Sequence, residues 1–309
     1  MGRIDDALRR AENGRRDLDV PRSIGPGPFV SPWGSGEVEL KGERSAPAAL
    51  PALALRHTAA PLFSAPAERF DAEWRERLAV GPGENSILAD QFRRLAATLL
   101  HVQRTERLRS VMVTSALPED GKTLTAINLA MVLSASYRRR VLLVEGDFRR
   151  PAISRAAGIP VGPGLSEALK AHDDRKAPLI QLSETLTLLP AGRPDSDPLS
   201  ALTSSRLQAL FQDAAENFDW VIVDTPPLGA TTDASLLCPL VDAALLVVRV
   251  GRTPLSAVRQ AIDTLGRDRI LGVVMNGSDE AQAARYDYSP TDVTVNEASL
   301  RAATTSAGS

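Results

Sequence analysis

Short apolar runs alternate with helical patterns along the last two thirds of this chain. Each run is four to six residues long and rich in Val, Ile and Leu. The runs lie at residues 110–115, 141–145, 186–189, 220–224, 243–248 and 270–275. Helical patterns occur at residues 86–103, 123–135, 164–171, 204–217 and 254–265. Near-continuous apolar strands joined through helices predict an α/β fold, a doubly wound and mostly parallel sheet with right-handed crossovers.

The composition agrees with such a sheet and argues against one class of partner. Apolar residues make up 43% of the 309 residues and aromatic residues only 4%, so the core must consist mainly of Ala, Val, Leu and Ile. The formal net charge is only -2, and we therefore expect no nucleic-acid partner. Cys238 is the only cysteine, which excludes an internal disulfide.

The sequence also bears on the cellular compartment. It contains no run of roughly 20 apolar residues that could span a bilayer. Its first residues are charged throughout and lack the apolar stretch of a secretory signal: MGRIDDALRRAENGRR. We therefore expect a cytoplasmic protein that is recruited to the inner face of the plasma membrane only by a partner.

Three regions differ in composition. Residues 21–82 contain nine of the 22 prolines, interleaved with Gly, Ala and Ser, and show no sustained period. We predict that residues 1–83 form a flexible, disordered arm with a short N-terminal helix, either a plain linker or a segment that docks on a membrane-bound partner. Residues 84–278 should form the folded domain. The polar residues 279–309 should form a mobile tail.

The strongest motif is a strand, a loop and a helix start within VMVTSALPEDGKTLTAINLA. Its Gly121-Lys122-Thr123 sequence at the start of a helix is typical of a phosphate-binding loop, although Ala116 stands where that motif has its first glycine. Main-chain N–H groups of the loop should surround phosphate oxygens, Lys122 should reach the β and γ phosphates, and the Thr123 hydroxyl should bind Mg²⁺. The sequence thus predicts a P-loop NTPase fold that binds ATP and Mg²⁺. The predicted binding residues are Ala116, Leu117, Pro118, Glu119, Asp120, Gly121, Lys122, Thr123 and Leu124.

Carboxylates follow two other predicted strands. Glu145 and Asp147 come at the end of the strand in VLLVEGDFRRP, and Asp224 ends the strand in FDWVIVDTPPL. The carboxyl ends of parallel strands meet at one edge of a sheet, so these groups should lie beside the phosphates. We predict that Asp224 and Asp147 hold Mg²⁺ together with Thr123, and that Asp147 or Glu145 accepts a proton.

Three segments resemble, in this order, the Walker A, Walker A′ and Walker B motifs of the bacterial tyrosine kinases of capsular and exopolysaccharide biosynthesis: SALPEDGKT, LLVEGDFRRP and VIVDTPP. The resemblance covers about residues 84–277 and is greatest to the soluble form that is paired with exosortase-linked polysaccharide systems. Two later segments resemble the family's last strands and the helix between them: DAALLVVRVGRTPLSAVRQAIDTLG and ILGVVMNG. By that resemblance Asn276 contacts the adenine.

The resemblance implies a tyrosine autokinase. Such a kinase uses ATP to phosphorylate tyrosines in the C-terminal tail of a neighbouring subunit, under the control of a membrane-spanning polysaccharide co-polymerase or chain-length regulator. Catalysis would fall to Lys122, Asp147, Glu145 and Asp224. The only tail tyrosines are Tyr286 and Tyr288, which are either the acceptors or ordinary tail residues.

Several positions depart from the family pattern and leave alternatives open. Glu119 and Asp120 add negative charge to the loop, and Glu145 replaces an aspartate. The Glu-x-x-Arg-x-x-Arg oligomerisation motif lacks its last arginine at residues 90–96, so homo-oligomer formation stays open. One alternative function is a partition-type P-loop ATPase switch, against which Leu117 argues because that class carries a lysine early in the loop. The other is a catalytically weakened nucleotide-binding adaptor of a polysaccharide export complex.

Two arginines follow the second motif. Arg149 and Arg150 match a basic pair of the family, and two interpretations compete: a salt bridge to an aspartate, or contact with phosphate.

Overall fold

The computed structural model describes residues 55–57, 66–81, 86–171 and 177–277. Their core is an eight-stranded sheet with the order β1-β4-β5-β3-β6-β2-β7-β8. The strands are β1 Leu55–His57, β2 Ser110–Ser115, β3 Val141–Glu145, β4 Ala177–Gln181, β5 Leu186–Leu189, β6 Trp220–Asp224, β7 Ala243–Arg249 and β8 Ile270–Asn276. Neighbouring strands are parallel except β4 and β5, which are antiparallel. The prediction of an α/β fold with a mostly parallel sheet is confirmed.

Helices cover both faces of the sheet. They are α1 Ala72–Arg75, α2 Ser86–Glu106, α3 Lys122–Ala135, α4 Ile153–Ala156, α5 Leu165–Lys170, α6 Leu199–Leu202, α7 Ser205–Asn217, α8 Asp233–Leu237 and α9 Leu255–Leu265. Short 3-10 turns occur at Pro66–Arg69, Cys238–Leu240 and Arg267–Arg269.

Alternate residues of each central strand point to opposite faces. On one face, Met112 of β2 and Val221 of β6 pack in a hydrophobic cluster with α7 and α9. On the other, Val111 and Ile222 pack in a second cluster with α2 and α3. Burial on both faces explains why these strands are continuously apolar in sequence, since no position of such a strand meets water.

The folded region begins earlier than predicted. Residues 66–81 were assigned to the flexible arm, yet Phe70 is only 1% exposed and Leu78 only 3%. The Asn128 side chain of α3 fixes this segment, because its Oδ1 accepts from the Ala79 N–H at 2.6 Å and its Nδ2 donates to the Arg77 carbonyl at 3.0 Å. The arm prediction is therefore wrong for residues 66–81.

Other predictions fall outside the described ranges. They concern the N-terminal helix at residues 3–12 and the tail with Tyr286 and Tyr288. Within those ranges, no helix combines the length and the apolar character that crossing a membrane requires.

Candidate functional site

Three strand ends meet at the carboxyl edge of the sheet. β6 lies between β2 and β3, and Val113 of β2 is in register with Asp224 of β6. On the other side of β6, Glu145 of β3 is in register with the same Asp224. The loop after β2 therefore shares one edge with the acidic residues that end β3 and β6, the usual place for ligands in open α/β sheets.

The loop after β2 leads into α3 and leaves main-chain N–H groups without protein acceptors. The first intrahelical bond of α3 is donated by the Thr125 N–H to the Gly121 carbonyl at 2.9 Å. Among the residues that the structure describes, none accepts a hydrogen bond from the main-chain N–H groups of residues 121–124. These groups and the positive end of α3 form a cradle for phosphate oxygens.

Fewer N–H groups of the loop are available to a phosphate than the sequence predicts. The Leu117 N–H donates a hydrogen bond to the Asp120 carboxylate, and Pro118 has no N–H. The Ala116 carbonyl accepts from the Gly229 N–H at 3.1 Å, in the segment after β6. The start of the loop is thus held by the protein itself, and the groups available to a phosphate come after Pro118.

Two loop residues have left-handed backbone conformations. Gly121 has φ 101° and Glu119 has φ 66°. A Cβ atom on Gly121 would lie 1.8 Å from Nδ2 of Asn276, so another residue there would displace that side chain and would also be strained at this φ angle. Glu119 has a side chain, and its left-handed conformation costs about 1–2 kcal/mol.

The two acidic side chains of the loop have partners within the protein. The Glu119 carboxylate accepts from Arg252 at 2.6 Å. The Asp120 carboxylate, which is 1% exposed, accepts from the Thr253 hydroxyl at 2.6 Å and from the Leu117 N–H at 3.0 Å. Both carboxylates therefore have donors elsewhere in the protein, and neither accepts a hydrogen bond from the N–H groups of residues 121–124.

The residues predicted to bind Mg²⁺ form a compact cluster. The Thr123 hydroxyl donates to Asp224 Oδ2 at 2.8 Å. The Lys122 ammonium donates to Thr123 Oγ1 at 3.1 Å, and its Nζ lies 3.6 Å from Asp147 Oδ2 and 4.0 Å from Asp224 Oδ1. In this arrangement the lysine is the counter-ion of both carboxylates.

Asp224 has the properties of a metal ligand. Its Oδ1 is buried and lacks a hydrogen-bond partner among the described residues. Burial raises the pKa of Asp224 to about 6, against the lowering effects of the Lys122 charge and the Thr123 hydroxyl. A buried carboxylate oxygen without a donor is a site where a hard cation would be favourable.

The donor set fits Mg²⁺ bound together with a nucleotide. The described ranges contain no group of three or more His, Cys, Asp or Glu side chains that could hold a metal ion unaided. Magnesium in nucleotide sites usually takes one or two protein oxygens and completes its shell with water and phosphate oxygens. The Thr123 hydroxyl and the Asp224 carboxylate match this requirement.

Asp147 lies at the edge of this cluster. Its Oδ1 accepts from the Arg150 N–H at 3.0 Å, and its Oδ2 faces the Lys122 ammonium. The carboxylate is mostly buried but forms no further hydrogen bond within the described chain. One oxygen of Asp147 is therefore available to a substrate hydroxyl once Lys122 turns towards a phosphate.

Glu145 does not fit its predicted catalytic role. Its carboxylate is fully buried and accepts four hydrogen bonds: from the N–H groups of Ile153, Ser154 and Ala191, and from the Ser154 hydroxyl. Both oxygens are used to hold the start of α4 and the segment after β5.

Comparison with known proteins places the chain in a family. Over 206 residues it is 31% identical to Tyrosine-protein kinase YwqD of Bacillus subtilis, an alignment that covers 66% of this chain and 86% of that relative. This chain is a member of the bacterial tyrosine kinase family. Over 209 residues it is 32% identical to the succinoglycan biosynthesis transport protein ExoP of Rhizobium meliloti, of whose length it spans only 26%. No protein-family model matches the chain.

Solved structures of bacterial tyrosine kinase domains have the same fold. The kinase domain of Escherichia coli ETK superposes with a TM-score of 0.61 at 27% identity, covering 69% of this chain and 84% of that one. The BceF tyrosine kinase domain gives a TM-score of 0.55, also at 27% identity, and covers 74% and 93%.

Two residues predicted from the tyrosine kinase motifs have intramolecular partners. Arg149 forms a bidentate salt bridge with Asp233, with distances of 2.6 and 3.2 Å, and this hydrogen bonding raises the pKa of Arg149. The salt-bridge interpretation is therefore correct for Arg149. Asn276 donates from Nδ2 to the Asp120 carbonyl at 2.9 Å and so supports the loop between β2 and α3, residues 116–121, which we call the phosphate loop. Its contact with adenine stays a prediction.

Sequence reasoning missed the turn between β7 and α9. Arg249, Arg252 and Thr253 all bond to the acidic part of the phosphate loop. The only available signal was topological, because β7 neighbours β2 and its carboxyl end must lie beside the loop.

Proposed function

We propose that this bacterial tyrosine kinase is an ATP-dependent autokinase that phosphorylates tail tyrosines of a neighbouring copy. The observation that carries the proposal is the set of N–H groups at residues 121–124, which have no acceptor in the described part of the chain, beside the Thr123 and Asp224 pair. Such a site fits a nucleoside triphosphate with its metal. The acceptors proposed are Tyr286 and Tyr288, the only tyrosines of the predicted tail.

The proposed mechanism depends mainly on positioning and charge. The N–H groups of residues 121–124 bind phosphate oxygens, and the Lys122 ammonium leaves the carboxylates to neutralise the β and γ phosphates. Mg²⁺, held by Thr123 and Asp224, would supply further neutralisation of phosphate charge. As the tyrosine oxygen attacks the γ-phosphorus, the Asp147 carboxylate accepts the phenolic proton and ADP leaves.

We further propose that the kinase regulates polymerisation or export of an extracellular polysaccharide. The relative ExoP is named as a succinoglycan biosynthesis transport protein, which supports a role in that process. The proposed partner is a membrane-spanning polysaccharide co-polymerase or chain-length regulator that recruits the kinase to the cytoplasmic side of the membrane, where ATP is available. Formation of a homo-oligomer would bring one tail to the site of its neighbour.

An autophosphorylation assay tests the proposal. The purified protein is incubated with MgATP, with and without the membrane partner, and modified residues are located by mass spectrometry. We expect phosphate on Tyr286 or Tyr288 in the wild type and none in Lys122→Met. When Lys122→Met is mixed with a wild-type chain carrying Tyr286→Phe and Tyr288→Phe, phosphate should appear on the Lys122→Met chain, because transfer is between molecules.

The same assay separates the alternatives. Steady phosphate release without phosphotyrosine would contradict the kinase and support an ATPase switch. Nucleotide binding without phosphate release and without phosphotyrosine would support the adaptor. The four hydrogen bonds to Glu145 favour this alternative, because they leave that carboxylate no oxygen for catalysis.

A further inference from the structure

The turn between β7 and α9, residues 249–253, contacts the phosphate loop at three points. Arg249 donates from its side chain to the Glu119 carbonyl at 3.1 Å, and Arg252 pairs with the Glu119 carboxylate. The third contact is the hydrogen bond from the Thr253 hydroxyl to Asp120 Oδ1. The Arg252 pair is exposed and should contribute little, whereas the Asp120 carboxylate is buried.

The direction of the Thr253 hydrogen bond is fixed by its surroundings. Thr253 Oγ1 accepts from the Arg249 N–H at 3.0 Å, so its own proton is free to point at Asp120. The other oxygen of Asp120 accepts from the Leu117 N–H at the start of the loop. Asp120 therefore links the turn to the beginning of the phosphate loop.

Asp120 lies between the two loop residues with positive φ angles. Glu119 and Gly121 flank it, and the Asp120 carbonyl is held by Asn276. A segment with two left-handed residues keeps its conformation only when its surroundings hold it there. The N–H groups that would bind phosphate follow directly, so their direction depends on where Asp120 is held.

The geometry points to Thr253 as a positioning residue for the nucleotide: through Asp120, its hydroxyl holds the phosphate loop in the conformation that presents the N–H groups of residues 121–124. This inference rests on the proposed nucleotide binding. It also assigns Asp120 a function, since its buried carboxylate accepts from both Leu117 and Thr253 and so braces the loop.

Calorimetric titration with MgADP tests the role of Thr253. Thr253→Val keeps the shape of the side chain but removes both the donor to Asp120 Oδ1 and the acceptor of the Arg249 N–H, and we expect the Kd to rise about 10-fold. Thr253→Ser keeps the hydroxyl and should bind within about twofold of the wild type. The matched control is Thr264→Val on the exposed face of α9, whose hydroxyl donates only to Gln260 of its own helix and which should leave the Kd unchanged.

A double mutant tests the link through Asp120. If Thr253 acts on the nucleotide through Asp120, the Thr253→Val change should raise the Kd by less than about twofold in an Asp120→Ala background, which has no acceptor for the Thr253 hydroxyl. A full additional 10-fold effect would show that Thr253 acts by another route and would overturn the inference.

Hydrogen exchange gives a readout that needs no nucleotide. In the nucleotide-free protein, Thr253→Val should speed exchange at residues 117–124, and Thr253→Ser and Thr264→Val should not. If wild type binds MgADP but Thr253→Val matches it in affinity or in exchange, the inference is wrong. If wild type binds no nucleotide while the exchange difference is present, the proposed function fails and the bracing of the loop by Thr253 stands.

Discussion

Two carboxylates at neighbouring strand ends have opposite surroundings. Glu145 accepts four hydrogen bonds, whereas Asp224 Oδ1 has no partner among the described residues. The sequence could place both at one edge of the sheet, because parallel strand ends converge there. It could not distinguish them, since the donors to Glu145 include the main-chain N–H of Ala191, 46 residues away.

Substitution of Glu145 should lower the free energy of unfolding, because its buried carboxylate accepts four hydrogen bonds. In Glu145→Gln an amide NH₂ would face N–H and O–H donors in a buried site, and we expect the free energy of unfolding to fall by about 3 kcal/mol in urea titrations. Glu216→Gln on the exposed face of α7 is the control. By contrast, Asp147→Asn should cost less stability than Glu145→Gln, because Asp147 accepts only one hydrogen bond in the described chain, but should lower the autophosphorylation rate by about 100-fold. Equal stability of Glu145→Gln and wild type would refute the structural role of Glu145.

The raised pKa of Asp224 predicts a pH dependence in the protein free of metal and nucleotide. The folded state holds this proton more tightly than the unfolded chain, so the stabilisation present at low pH is lost as the pH rises through about 6. Between pH 5 and pH 8 the wild type should lose about 1.4 kcal/mol of unfolding free energy relative to Asp224→Asn.

This pH dependence is measured by urea unfolding in EDTA. Asp263→Asn on α9 is the control for the loss of an exposed aspartate. Its free energy of unfolding should show the same pH dependence as that of the wild type. A difference between Asp224→Asn and wild type that stays constant from pH 5 to pH 8 would count against the raised pKa.

The elements around the site were predictable because local pattern and tertiary environment agree. β2, β3, β5 and β6 match their predicted runs residue for residue, because strands buried on both faces are mostly apolar and their few polar residues, such as Thr114 and Thr187, are buried with them. The segment at residues 66–81 was missed because its buried positions follow a proline-rich stretch, lie among charged residues and show no period. Its order comes from the Asn128 side chain, a long-range contact that no local pattern contains.

Removal of the Phe70 ring tests whether this segment belongs to the core. Phe70 is 1% exposed, and Phe70→Ala should lower the free energy of unfolding by about 3–4 kcal/mol. Leu199, which is 53% exposed, provides the control, because Leu199→Ala should change it by less than about 0.5 kcal/mol. Indistinguishable urea midpoints for the two variants would restore the flexible-arm prediction for this segment.

At the scale of the whole molecule, the sequence predicted the sheet and the edge that carries the site. It did not predict β1 and β4, because short strands such as Ala177–Gln181, with a proline inside, give no periodic signal. Nor did it predict the three contacts of residues 249–253 with the phosphate loop, which depend on side-chain directions after β7. The motifs predicted which residues meet at this site, whereas the contacts that support the loop are visible only in the structure.

A kinase truncated before the proposed acceptors tests whether Tyr286 and Tyr288 are the residues that are phosphorylated. A chain that ends at residue 277 retains every described residue of the nucleotide site, so it should bind MgADP as tightly as the full chain. It should not label itself, but it should phosphorylate added Lys122→Met chains that carry the tail. Comparable self-labelling of the truncated and full chains in phosphotyrosine mass spectrometry would place the acceptors elsewhere than Tyr286 and Tyr288.

The most direct test of the central claim is calorimetric titration of ADP into the wild type, Lys122→Met and Asp224→Asn, with Mg²⁺ and with EDTA. We expect one molecule of ADP per chain in the wild type, with affinity that rises with Mg²⁺. Affinity should fall at least about 10-fold in Lys122→Met, and Asp224→Asn should lose the effect of Mg²⁺ while still binding ADP in EDTA. Absence of binding heat in the wild type, or equal affinity in all three proteins, would contradict the assignment of the nucleotide site to residues 121–124, Lys122 and Asp224.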